Sequence, residues 1–100
     1  MFSGGDYHEV ARWLDNLVTS HAKREDLRAE CALDTGRTRE GVSYGVRVRI
    51  GEQLSSELEL SFPDVASHRG SLAWCQGLAD RARGLVREVL AAARSLPRPA

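Results

Sequence analysis

The chain has 100 residues, 42% of them hydrophobic and 28% charged, with fourteen Lys or Arg against fourteen Asp or Glu and a formal net charge of zero. That length holds one domain with one modest core, so residues 1–100 read as a single domain with an ordered core over about 6–96. The balanced charge excludes a global pull toward nucleic acid or an anionic membrane surface, and no apolar run approaches the roughly 20 residues that cross a bilayer.

The first helix is expected to begin at Asp6. Gly4 and Gly5 precede it, the Asp6 carboxylate can accept first-turn N–H groups, and Glu9 stands three residues on, as in a capping box. Tyr7, Val10, Leu14, Leu17, Val18 and His21 then share one side at about 100° per residue, with Trp13 at its border. The run Lys23-Arg24-Glu25-Asp26 has nothing apolar to continue that stripe and ends the helix.

From Leu27 to Phe62 the pattern switches to alternation. Leu27, Ala29, Cys31 and Leu33 form one apolar set, Val42, Tyr44, Val46, Val48 and Ile50 a second, and Leu58, Leu60 and Phe62 a third. A period of two marks strands with one face buried and the other wet. A long polar loop, Asp34 to Gly41, separates the first two strands, and the short stretch Gly51 to Ser55 makes the next pair a hairpin. A one-residue slip would turn acids into the core, so Val46 is paired with Leu60, Val48 with Leu58, and Cys31 with Val46. That register lays Glu30, Arg47 and Glu59 in a row on the outer face.

Pro63 closes the third strand, and His68-Arg69-Gly70 reads as loop. Ser71 is placed to cap a long second helix whose residues Cys75, Leu78, Ala79, Ala82, Val86, Val89, Leu90 and Ala93 keep helical spacing; Pro97 ends it near Arg94 to Leu96. Gly77 and Gly84 lie inside that helix, where each costs about 1 kcal/mol relative to Ala; close approach of another backbone is the expected reason for them. The fold is therefore α+β: helix–strand–strand–strand–helix in two layers, a three-stranded antiparallel meander with both helices on one face.

Chemistry-bearing patterns are sparse. His8, His21 and His68 have no metal-ligand spacing. Asp34-Thr35-Gly36 is the tripeptide of aspartic-protease loops, whose chemistry needs two carboxylates sharing a proton; here it opens a polar loop, where these are ordinary turn residues. No phosphate-cradling glycine loop, dinucleotide fingerprint or nucleophile motif is present. Cys31 and Cys75 fall on apolar faces, where a free thiol packs as a small apolar residue; a disulfide from strand to helix is the alternative and needs a specific Cβ geometry. The Met-Phe-Ser-Gly-Gly start lacks the basic and apolar regions of a signal peptide. A non-catalytic cytoplasmic protein without metal or cofactor is the expectation.

Beside the unpaired edges of the two outer strands, where strand addition is a second route to a dimer, two surfaces remain for a partner. Trp74, Leu78, Leu85 and Leu96 widen the apolar sector of the second helix beyond what three strands need. With Trp13 they form an expected contact flank, and a second copy of the chain is its expected occupant. The other surface is basic. Up to Ser67 the chain has eight Lys or Arg against twelve acids, and from His68 onward six against two. Arg81, Arg83, Arg87 and Arg94 lie on the polar side of the second helix, and Arg37 and Arg39 on the long loop, enough for weak, salt-sensitive phosphate contacts. In element order alone the chain resembles double-stranded-RNA-binding domains and small dimeric nucleoid-associated proteins. That likeness implies nucleic-acid binding as the alternative function, although Ser71-Leu72-Ala73-Trp74 stands where the RNA-binding domains carry a lysine cluster.

Overall fold

A computed structural model describes residues 6–95. Asp6 caps α1 (Tyr7–Glu25), its carboxylate accepting the Glu9 N–H at 2.7 Å. Val10, Leu14, Val18 and Ala22 recur at helical spacing and are fully buried. Asp26 ends the helix: its carboxylate takes the Arg28 N–H at 2.9 Å and the Arg28 guanidinium at 2.7 Å, while its carbonyl accepts from Ala29. This side-chain turn delays β1 (Glu30–Asp34) by three residues relative to the expected start, so Leu27 is 83% exposed instead of inward. Val42, read as strand, is likewise exposed and precedes β2 (Ser43–Ile50).

The sheet is antiparallel and built around β2. On one side it pairs with β1; on the other it pairs end to end with β3 (Gln53–Leu54) and β4 (Leu58–Ser61). Cys31 and Leu33 of β1, Tyr44, Val46 and Val48 of β2, and Leu58 and Leu60 of β4 share the inner face, as the alternation requires. The register differs by two residues on both sides of β2: Cys31 stands opposite Val48, and Val46 opposite Leu58. Two residues restore the pleat's parity, so the faces survive although each pairing moves.

The cause is the hairpin. Gly51, at φ +63, and Glu52 form a tight two-residue turn, setting Ile50 against Gln53. Between the Arg49–Leu54 and Val46–Leu58 pairs the register advances by one residue, as in a bulge. Ser55, 4% exposed, repairs the ladder there: its N–H donates to the Val48 carbonyl, and its Oγ accepts the Val48 N–H at 2.9 Å. Glu88 then grips the bulge from the long helix, accepting from Ser56 N–H and from Ser56 Oγ.

A short helix, α2 (Phe62–His68), stands where strand end and loop were expected. Ser61 caps it, accepting the Asp64 N–H, and Pro63 sits in its first turn, where proline's fixed φ is favourable. Phe62 has the right parity for a strand, but its ring packs edge-on to Tyr7 and Tyr44. Ser71 caps α3 (Leu72–Ser95), its Oγ accepting the Trp74 N–H at 3.2 Å. Both long helices cover the inner face of the sheet, giving the two-layer α+β fold. Gly77 and Gly84 have open space where a Cβ would stand, so close approach within this chain does not explain them.

Two substitutions check this account by urea denaturation. Ser55→Ala strands the buried Val48 N–H and should destabilise by about 1–3 kcal/mol, whereas Glu52→Ala on the exposed turn should change little. Gly84→Ala should stabilise by roughly 0.5–1 kcal/mol, since nothing opposes the added methyl group.

Candidate functional site

The two long helices run alongside one another in the same direction. Trp13 stacks on Trp74 near their starts, with centroids 6.4 Å apart, and Arg87 pairs with Glu25 at 3.0 Å near the far end of α1. Along this seam lies a groove of about 530 Å³ lined by Leu17, His21, Arg24, Leu72, Cys75, Gln76, Ala79, Asp80 and Arg83. Leu17, Leu72, Cys75 and Ala79 make it apolar toward the Trp end; Arg24 and Arg83 bring guanidinium groups to the other, beside His21. Burial lowers the His21 pKa, and the Arg24 and Arg83 charges push the same way, which favours the neutral imidazole. Arg83 is answered by Asp80, with which it forms a close ion pair.

The five residues expected as a contact flank separate. Trp13 and Trp74 are half-buried and lean on each other, and His68 stacks on Trp74 with its ring 5.7 Å away. Leu85 is half-buried against the core. Leu78, 4% exposed, is core itself and has no surface to offer. Leu96 lies outside the described residues. Leu72, by contrast, is 74% exposed beside the groove. Helical periodicity misses it because it falls outside the core stripe of its helix, yet with Cys75 and Ala79, at i+3 and i+7, it forms an apolar ridge of its own.

The six arginines are also divided. Arg39 reaches across the outer face of the sheet, where its guanidinium meets Asp34 at 3.1 Å, Glu59 at 3.0 Å and Glu57 at 2.5 Å. Gly45 lies beneath this cluster: a Cβ there would stand 2.8 Å from Glu57 Oε2 and 3.0 Å from Arg39 Cζ. Arg83 and Arg87 hold the ion pairs already described. Arg37 and Arg81 are exposed and make no ion pair among the described residues. The Arg94 side chain lies outside the described residues.

Asp34 is a turn former, accepting the Gly36 N–H at 2.9 Å as well as pairing with Arg39. Neither cysteine forms a disulfide. Burial, reinforced by Asp15, pushes the Cys31 thiol up to about 12, which keeps it protonated and unreactive at neutral pH. Among the described residues, no three His, Cys, Asp or Glu side chains are grouped to hold a metal, and no helix is long and apolar enough to cross a membrane.

The ion pairs predict the acid response. Arg28 holds Asp26 at about 2, below its ordinary 3.8; a Gly36 N–H and Arg39 lower Asp34, and Arg49 lowers Glu30. Each folded-state value lies below the unfolded one, so the contribution is present above the unfolded pKa and lost as pH falls through the folded one. Thermal melts should begin to fall near pH 6.5, where the unfolded chain protonates His21 more readily than the folded one, and fall further from about pH 5 toward pH 2 as the carboxylates protonate, with a shallower acid fall for Arg28→Gln. Comparison with protein-family models, with curated proteins and with solved structures finds no match to this chain.

Proposed function

We propose that this chain is a non-catalytic protein-interaction module that works as a homodimer in the cytoplasm. The observation that carries the reading is Leu72, 74% exposed beside a groove lined by Leu17, Cys75 and Ala79, with the half-buried Trp13–Trp74 pair next to it. Aromatic residues at a half-buried border are enriched where proteins meet. A formal net charge of zero leaves no long-range repulsion between two copies. The two free thiols suit a reducing compartment. The nucleic-acid alternative has less support, because Arg39, Arg83 and Arg87 are already engaged by carboxylates of the same chain.

Sedimentation velocity across the micromolar range tests the reading. The wild-type chain should sediment as a dimer and Leu72→Asp as a monomer with an unchanged melting curve, since the replaced side chain is exposed. A wild-type monomer at high micromolar concentration would refute the homodimer.

A further inference from the structure

Seen along the flank that borders α3, α1 is polar in the sense of a bar magnet. Glu9, Trp13, Leu17 and His21 follow at intervals of four residues, and Arg24 completes the strip. An acid therefore stands at one end, apolar side chains in the middle and a cation at the other end. Glu9 and Arg24 are both exposed, and neither makes an ion pair among the described residues. Several other charges of the helical layer are engaged within the chain: Glu25 pairs with Arg87, Asp80 with Arg83, and Glu88 accepts from Ser56, while Arg81 on α3 is unpaired like Glu9 and Arg24 among the described residues. Arg12 turns to the opposite side, lining a cleft with Asp15 and Leu33.

Such a strip is complementary to itself when turned end for end. We infer that two copies dock through this flank of α1 in antiparallel, two-fold fashion, the Glu9 carboxylate of each copy meeting the Arg24 guanidinium of the other. This rests on the homodimer reading and names its geometry. The two charges are fifteen residues apart, roughly 22 Å along a helix, and the midpoint falls between Asn16 and Leu17. Trp13 and Leu17 then lie within about one turn of the axis, and Leu72, which shares the groove with Leu17, closes the apolar centre. The result is an apolar middle flanked by two symmetry-related ion pairs, and isologous contact of this kind closes after two copies. A parallel arrangement would instead set Arg24 against Arg24 and Glu9 against Glu9.

Charge exchange tests this. Glu9→Arg and Arg24→Glu, each alone, place like charges together twice per dimer, and each should weaken self-association about tenfold or more in sedimentation equilibrium. An equimolar mixture of the two variants should recover the dimer. In the mixed pair one copy presents a cation at both ends of its strip and the other a carboxylate at both ends, so both contacts again join opposite charges. Circular dichroism melts of each variant show that the monomer is folded. A single variant that associates like the wild type, or a mixture of folded variants that stays monomeric, overturns the antiparallel docking while leaving the homodimer standing. A wild-type monomer removes both.

Discussion

Tyr7 and Tyr44 hold the two layers together by bonding to each other's backbone neighbourhood. The Tyr44 hydroxyl donates to the Tyr7 carbonyl at 2.7 Å, and the Tyr7 hydroxyl donates to the Ser43 carbonyl at 2.6 Å. Their rings lie parallel with centroids 4.6 Å apart, and Phe62 meets both edge-on. Three elements thus converge on one buried cluster: the first turn of α1, the start of β2 and the first residue of α2. Burial raises both phenol pKa values, so each hydroxyl stays a donor throughout the neutral range. Since β2 pairs with every other strand, fixing α1 to β2 fixes α1 to the whole sheet. The position of the Trp13–Leu17–Arg24 strip follows from that attachment together with the packing of α1 on α3, where Trp13 stacks on Trp74 and Glu25 pairs with Arg87.

The opposite face of the sheet is kept by charge. No helix covers it, and a bare pleated face must either be polar or find a partner. Here Arg39, Arg47 and Arg49 alternate with Glu57, Glu59, Asp34 and Glu30, and Gly45 leaves room for the Arg39–Glu57 contact to lie flat. Exposed pairs of this kind contribute little individually, of the order of 0.2–1 kcal/mol. At the β1 edge, Thr19 Oγ1 of α1 accepts the Cys31 N–H.

Periodicity makes the architecture legible because it reports which face of each element is buried, and burial is what the core enforces. It is blind to anything that preserves parity. A two-residue change of register leaves every side chain on its own face, so the pairing of Val46 with Leu58 instead of Leu60 leaves no trace in the pattern. What decides it is local: the tight turn at Gly51-Glu52 and a serine able to stand in for a backbone group. Phe62 illustrates the same blindness, since an inward aromatic at a strand's end and one at a helix's start look alike. Its neighbours Ser61, Pro63 and Asp64 carry the helix signal. For the surface, border tryptophans are readable from their position, but Leu78 and Leu72 exchange roles, because which side of a wide apolar sector faces inward depends on where α1 lies.

The uneven charge along the chain takes its meaning from the same geometry. A basic C-terminal helix on an acidic body looks, as a sequence, like an anion-binding edge. Once α1 and α3 lie parallel, Arg87 finds Glu25 sixty-two residues away, Arg83 is satisfied by Asp80 within its own helix, and the loop arginine Arg39 is drawn onto three carboxylates of the sheet. Much of the asymmetry is therefore spent inside the molecule. Charges left over after such internal matching are more informative than the total, because nothing in the monomer accounts for their placement. Glu9 and Arg24 belong to that remainder, at opposite ends of an apolar strip, and a copy turned end for end offers each what the other lacks.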